Sequence, residues 1–564
     1  MKKLYFLIFT FSFLGYITEA QQLLRGPYQQ KKTPNSMNIR WRTADSLDAK
    51  VYYGTDLNNL NLTATVSTLE NDHDVELKNL SPYTKYFYKI ESGGNVLSGP
   101  DTAHWFRTAP VAGTVQPIRV WATGDFGKGN DGQRLTRDAY LNYSKDKETD
   151  VWIWLGDNAY QDGADSDYQA KVFEQYYAYG DIFKFMHFYP SPGNHDYNSV
   201  CGIPCQQDPR QHKGPYYSII TAPQQGEAGG EPSTLENYYS FDYGNAHFIS
   251  LNSELGSPTA AYDWIGAYTN GASTSPMIQW LKDDLSKNTQ PWVIAYWHQP
   301  PYTKGSHDSD LFYEIYMKAI REKITPILEQ YGVDLVVNGH SHAFERSYLL
   351  KGLTGTAATF NAQTNVVNGT SGKESLGEAY IKYTDGTKPN EGTVYVVCGN
   401  SGSDVAANKA LFYNGSPHPA MFYWDGGTGV CGSFIIDIDG NKLTGRYLTS
   451  NNVVKDEFTI KKQSVTGIKN INSITSSISD AKVFPNPFAK NATLSFTLSK
   501  PMALNIELFS TDGKMSRVLS NSSFNEGEHS IEINSDALHL SKGEYIVKIN
   551  EGKSASFERL FKVD

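Results

Sequence analysis

The chain has little cysteine, no excess of positive charge and, past its first twenty residues, no long apolar run. Four cysteines in 564 residues, Cys201, Cys205, Cys398 and Cys431, cannot hold a protein of this size as a disulfide framework, so burial of apolar surface must do so. Lys and Arg number 50 against 60 Asp and Glu, a net charge of −10, which argues against nucleic acid as a partner. No stretch beyond the leader is apolar enough to span a bilayer. A hydrophobic share of 39% and a charged share of 20% describe an ordinary globular protein, and its length implies three or four domains.

The one apolar run lies at the start. Met1-Lys2-Lys3, then Leu4 to Ile17, then Thr18-Glu19-Ala20 read as a secretory signal peptide over residues 1–20, too short for a membrane span. The mature protein is therefore expected to be exported through the periplasm, to the medium or the cell surface. Disulfides are permitted there: Cys201 and Cys205 enclose a tight loop and are placed to pair locally, which would leave Cys398 with Cys431. A zinc site from these four does not suit an exported protein.

Five short stretches carry the chemistry: Gly124-Asp125-Phe126-Gly127, Gly156-Asp157-Asn158-Ala159-Tyr160, Gly193-Asn194-His195-Asp196, Trp297-His298 and Gly339-His340-Ser341-His342. Carboxylate, amide and imidazole suit iron, manganese and zinc, and two such metals together can hold a phosphoryl oxygen and activate water. Each stretch alone is weak, since Gly-Asp is a common turn pair. Several follow apolar runs that read as buried strands: Ile118–Ala122, Val151–Leu155, Trp292–Tyr296 and Val333–Val337. Loops past the carboxyl ends of strands can bring distant ligands together.

With these motifs the chain resembles the calcineurin-like metallophosphoesterases, and Gly-Asp-x-x-Tyr with Gly-His-Ser-His-Ala-Phe-Glu-Arg-Ser narrows the resemblance to the purple acid phosphatases over residues 22–460. The resemblance implies one metal held by Asp125, Asp157, Tyr160 and His342, and a second held by Asp157, Asn194, His298 and His340, with Asp157 bridging. The phenolate of Tyr160 implies Fe(III) at the first position, and zinc, manganese or Fe(II) at the second. His195 matches the position that contacts substrate phosphate. His307 lies where plant members carry a histidine pair, but its neighbour here is Asp308; His195, His307 and Asp308 are the expected substrate contacts, with His195 and His307 catalytic. His247 reads as a strand histidine, and Glu345 with Arg346 as an ion pair fixing the last loop.

The expected fold is α+β: a two-sheet β-sandwich flanked by helices at residues 117–461, with all-β sandwiches at both ends. Short alternating runs over residues 22–110 give the first sandwich, and Leu80 to Tyr88 resembles a fibronectin type III corner. Helices are expected at Gln279–Leu285 and Leu311–Tyr331, a long surface loop at 351–390, and strands at Thr393–Cys398, Ser433–Asp437 and Lys442–Leu448 that finish the second sheet. A linker follows at 464–480. Residues 482–564, with their Pro485-Asn486-Pro487 opening and Gly543-Glu544-Tyr545 strand, resemble the sorting domains read by type IX secretion machinery.

The resemblance implies a secreted acid phosphatase in which a metal-bound hydroxide attacks small phosphate monoesters. Two alternatives remain: a phosphodiesterase or nucleotide-cleaving enzyme of the same superfamily, and, more remotely, a surface adhesin that has lost its metals.

Overall fold

The computed structural model describes residues 22–176, 181–197, 199, 214–254, 275–385, 388–403, 416–425, 430–464, 478–510, 516–550 and 555–564. The leader, Cys201 and Cys205 and most of the expected linker lie outside the described residues. Contacts divide the chain into two compact units, Met1–Gln463 and Ser464–Asp564.

The first unit opens with six strands: β1 (Leu23–Gln30), β2 (Met37–Gly54), β3 (Leu62–Leu77), β4 (Lys85–Ser92), β5 (Asn95–Ser98) and β6 (Trp105–Arg107). Burial alternates residue by residue along β4, the period of a strand with one apolar face. All six belong to one hydrogen-bonded sheet. The long β2 makes this possible, pairing β1 with its first half and β4 with its last, while its register with β3 breaks between Arg42 and Leu47. Ile39, Trp41, Val51, Val75, Tyr88 and Phe106 fill its core. The Tyr86 hydroxyl accepts the Ser81 N–H at 3.0 Å, fixing the turn before β4. Arg25 and Arg42 both reach Asp165, and the Lys32 N–H donates to His187 Nε2 at 3.0 Å. These bonds hold the strands against the elements that follow.

Sixteen strands come next: β7 (Ile118–Thr123), β8 (Val151–Leu155), β9 (Phe188–Ser191), β10 (Tyr239–Tyr243), β11 (Ala246–Ser250), β12 (Trp292–Trp297), β13 (Leu335–Asn338), β14 (Phe344–Ser347), β15 (Leu349–Leu350), β16 (Val366–Asn368), β17 (Tyr380–Tyr383), β18 (Val394–Cys398), β19 (Met421–Asp425), β20 (Gly432–Asp439), β21 (Lys442–Thr449) and β22 (Val454–Gln463). They form two seven-stranded sheets, ordered β10-β11-β12-β13-β18-β14-β19 and β17-β22-β21-β20-β7-β8-β9, with β15 and β16 paired separately. Strands β7, β8 and β9 run parallel in one sheet, and β11, β12, β13 and β18 in the other. Every residue of β7, β8 and β12 is buried, as parallel strands covered on both faces must be. The chain's aromatics pack here, with Trp121 stacked on Tyr140 at 4.1 Å and Trp154 on Phe188 at 3.9 Å. The helix Asp131–Ser144 is capped by Asn130, whose side chain accepts the Gln133 N–H at 3.0 Å, and Ser275 caps the helix Pro276–Lys287.

Four expectations are corrected. Val394–Cys398 joins the sheet of β12, while Gly432–Asp439 and Lys442–Thr449 join that of β7, so these strands complete both sheets. Residues 351–390 include β16, β17 and short helical turns. The helix expected from Leu311 begins at Ile315, because Leu311 to Glu314 close a turn through the Glu314 N–H and the Leu311 carbonyl, 3.0 Å apart. Cys398 is a buried free thiol, so it is not bonded to Cys431.

His247 lies on β11, between two carboxylates. Its Nδ1 is 2.8 Å from Asp242 Oδ1 and its Nε2 2.8 Å from Asp284 Oδ2. Burial disfavours the imidazolium, but the two carboxylates outweigh burial and raise it to about 9. Because this exceeds the unfolded value near 6.5, the stabilisation is complete below pH 6.5 and is lost as pH climbs through 9, on the order of 3 kcal/mol. In urea titrations across that range, wild-type stability should decline and His247→Gln should flatten the slope. Equal slopes would mean that the ring is neutral in the fold.

The second unit contains β23 (Ile478–Phe484), β24 (Asn491–Leu498), β25 (Met502–Ser510), β26 (Ser516–Phe524), β27 (Gly527–Asn534), β28 (Gly543–Asn550) and β29 (Ala555–Lys562). They form a three-stranded sheet, β23-β24-β27, and a four-stranded one, β26-β25-β28-β29. Leu494, Phe496, Ile506, Val547, Ile549 and Leu560 are buried in its own core.

Candidate metal centre

Each of the five motifs sits just past the carboxyl end of a parallel strand: Asp125 after β7, Asp157 after β8, Asn194 after β9, His298 after β12 and His340 after β13. The ends of the two sheets are tied at this point by His298, whose Nδ1–H donates to the Leu155 carbonyl at 2.9 Å. Asp125, Asp157 and His340 all have positive φ, of 56°, 51° and 66°. Three non-glycine residues in the left-handed region at one spot mark a backbone bent for a purpose. The neighbouring glycine in the third motif permits the approach: a Cβ on Gly193 would lie 2.2 Å from the Asp157 amide nitrogen.

Two groups of donors result. In the first, the Tyr160 hydroxyl lies 2.9 Å from Asp125 Oδ1, 3.0 Å from Asp157 Oδ2 and 3.2 Å from His342 Nε2. In the second, Asn194 Oδ1 is 3.1 Å from both His298 Nε2 and His340 Nδ1, which are themselves 3.1 Å apart, and His298 Nε2 is 3.2 Å from Asp157 Oδ1. Asp157 faces both groups. Lone pairs outnumber protons at each, since the single Tyr160 proton serves one of three acceptors and His298 has already committed Nδ1 to Leu155. A donor set of this kind fits cations.

The electrostatics agree. Burial would raise the Asp157 carboxyl, but His298 beside it holds it far below the usual carboxylate range. Burial works against charge on His298 too, yet Asp157 and Asp125 raise it well above an ordinary histidine. Burial, then Asp125 and Asp157, push the Tyr160 phenol well up. Burial and the His307 and His298 charges push His340 well down. Protons thus fill the places of positive charge, and a bound cation would reverse that logic at Tyr160.

His195 donates its backbone N–H to Asp157 Oδ1 at 2.8 Å, places Nδ1 2.5 Å from the Gln161 carbonyl, and keeps Nε2 3.8 Å from Asp157 Oδ2. His307 packs its ring 4.0 Å from that of His340, with Nδ1 3.0 Å from Glu314 Oε1. Asp308 is buried and bonded to Lys304 Nζ at 2.8 Å and to the Asp310 N–H at 3.0 Å. Glu345 and Arg346 are not paired with each other: neighbours on β14 point to opposite faces, so Glu345 bonds Thr303 and the Lys304 amide while Arg346 pairs with Asp456.

Two residues beyond the expected set support the site. Asp196 accepts from the Gly193 and Asn158 amides at 2.8 and 3.1 Å and from the Tyr168 hydroxyl at 2.6 Å, and burial raises it to about 6. It braces the Asp157 and Asn194 loops together. Glu314 orients His307. Asp196 was visible as the last residue of its motif, whereas nothing in the sequence ties Glu314 to a histidine seven residues earlier.

Residues 118–344 match the calcineurin-like phosphoesterase family, so the class is set by the stretch that supplies every one of these donors. Residues 28–108 match the purple acid phosphatase N-terminal domain and residues 482–562 the secretion system C-terminal sorting domain. The chain thus carries a calcineurin-like phosphoesterase domain, preceded by a purple acid phosphatase N-terminal domain and followed by a secretion system C-terminal sorting domain. It is 29% identical over 299 residues to purple acid phosphatase 15 of Arabidopsis thaliana, covering 49% of each chain. To the purple acid phosphatase of Glycine max it is 26% identical over 329 residues, 56% of this chain and 59% of that one. The match thus spans about half to three-fifths of these two relatives. The yellow lupin purple acid phosphatase structure shares the fold, with a TM-score of 0.55 and 19% identity over 78% of this chain and 74% of that one. The family implies a dinuclear metal centre. No described helix is long and apolar enough to cross a membrane, and the sorting tail indicates export by type IX secretion.

Proposed function

We propose that this protein is an exported acid phosphatase that hydrolyses small phosphate monoesters at a dinuclear centre. The observation that carries this reading is the grouping of seven donor side chains into two sets that share Asp157. Asp125, Tyr160, His342 and Asp157 would hold Fe(III), and Asp157, Asn194, His298 and His340 a zinc, manganese or Fe(II) ion. When bound, the pair would neutralise phosphoryl charge and activate a water.

The chain's own groups do the rest. His195, with Nδ1 held at the Gln161 carbonyl, presents Nε2 toward the phosphoryl oxygens and, when protonated, donates to one. Glu314 holds His307 by Nδ1, so the proton on His307 Nε2 is the one available to the departing alkoxide. Asp308 acts through Lys304 and the turn behind His307. The leader at residues 1–20 and the segment 482–564 are export signals on either side of the enzyme.

Metal analysis with a visible spectrum, and rates on a monoester and a diester, test this reading. The expected result is two metals per chain, a violet colour from phenolate-to-Fe(III) charge transfer that Tyr160→Phe bleaches, and a preference for the monoester. Faster diester cleavage would move the protein to the phosphodiesterase branch, and a metal-free native protein would sink the enzyme reading altogether.

A further inference from the structure

His340 has two ring nitrogens, and the second metal position accounts for one of them. Its Nδ1 faces Asn194 Oδ1 and His298 Nε2, both at 3.1 Å, which leaves Nε2 for a different partner. His307 packs against the same ring with centroids 4.0 Å apart, and turns its Nδ1 to Glu314 Oε1 at 3.0 Å. One nitrogen of each histidine and one carboxylate oxygen of Glu314 all lie within 4.8 Å of one another. Only His340 is shared with the seven donors of the metal pair. Two imidazoles and a carboxylate form one of the ligand sets of catalytic zinc, which keeps a further position open to water. The backbone fixes Glu314 on both sides, since its N–H donates to the Leu311 carbonyl at 3.0 Å and its carbonyl accepts the Lys318 N–H at 3.1 Å. The group is also reachable: the His307 side chain is 36% exposed and that of Glu314 12%, whereas Asp125 and Asp157 are buried.

We propose that His307, Glu314 and Nε2 of His340 form a third cation site, which takes zinc once the metal pair is in place and slows the enzyme when filled. This rests on the dinuclear reading above. The entering ion replaces the proton between His307 Nδ1 and Glu314 and the proton on His340 Nε2, and both protons pass to solvent. His340 then bridges two ions as an imidazolate. Removing that second imidazole proton and setting a cation beside two others both cost affinity, so this site fills last and only in excess zinc. Once filled, it holds His307 as a neutral, metal-bound imidazole, whose remaining N–H is a far weaker acid than that of an imidazolium. Esters with poor leaving groups need that proton and slow first, while activated aryl esters depart without it.

The test dialyses the full chain, already loaded with its metal pair, against rising zinc up to the millimolar range. Bound metal is counted per chain, and rates are followed on glycerol 2-phosphate, a poor leaving group, and on 4-nitrophenyl phosphate, a good one. A third ion should bind, and the glycerol phosphate rate should fall by about tenfold or more, since general acid catalysis contributes about 10²–10⁴-fold. The nitrophenyl rate should change little. Glu314→Gln, which keeps the shape of the side chain, should weaken the third ion by at least about tenfold and keep the first two. His307→Ala should do the same, and the metal count reads this whatever either variant does to activity. The proposal is overturned if no third ion binds, if it binds both variants as well as wild type, or if its binding leaves the two rates unchanged or slows them alike. A wild type that never holds two metals would instead overturn the dinuclear reading, and the third site with it.

Discussion

Asp157→Asn is expected to lose both metals and activity together while the fold persists. Asp157 is the one carboxylate that faces both donor groups, with Oδ2 3.0 Å from the Tyr160 hydroxyl and Oδ1 3.2 Å from His298 Nε2. An asparagine fills the same space, so packing changes little, but it removes the charge that two cations would share and turns an N–H toward one of them. Loss of an outer-shell partner alone costs about 10–100-fold in metal affinity, and the loss here should exceed that. The measurement is metal content per chain after dialysis, beside residual activity and a thermal melt. A variant that keeps two metals would show that Asp157 is not the bridge. If the melt collapses as well, Tyr160→Phe separates the causes, since it disturbs one group only.

Much of this site was legible because its strands are buried on both faces. Ile118–Ala122, Val151–Leu155 and Trp292–Tyr296 are continuous apolar runs, and polar residues straight after such runs stand out. What the sequence concealed lies in backbone bends and cross-chain contacts. Nothing local announces that Asp125, Asp157 and His340 take left-handed backbone, since glycine beside each would serve as well. Glu345 and Arg346 look like a pair when read in line, but pleating sends them to different partners. The sheet that Val394–Cys398 enters depends on register with β13 and β14, and periodicity carries no information about pairing partners. Glu314 is the plainest case, a helix-edge carboxylate whose role exists only because the preceding turn folds back on His307.

Away from the metal centre, Asp334→Ala should be among the most destabilising single changes in the first unit. Asp334 immediately precedes β13, is fully buried, and ion-pairs through Oδ1 with Lys382 on β17 at 2.7 Å and through Oδ2 with Lys462 on β22 at 2.8 Å. It also accepts the Val293 N–H at 3.0 Å. One carboxylate thus joins both large sheets. Its removal leaves two ammonium groups in the interior, and breaking a buried pair in this way typically costs about 3–5 kcal/mol, against a total stability of about 5–15 kcal/mol. Urea unfolding at neutral pH should reveal the loss. Burial already lowers Lys382 to about 8 even with Asp334 present, and without the carboxylate it should fall further. The unfolded chain would then bind the extra proton, so the variant should regain stability as pH rises toward the ordinary lysine value near 10.5. Adding Lys382→Met to Asp334→Ala should cost less than the two single changes summed, because it removes one of the stranded charges. Additive losses, or a deficit that does not shrink at alkaline pH, would mean that water reaches these ammonium groups and that the charge is not what joins the sheets. Since Asp334 lies at the opposite end of β13 from His340, the folded fraction of the variant should still load its metals.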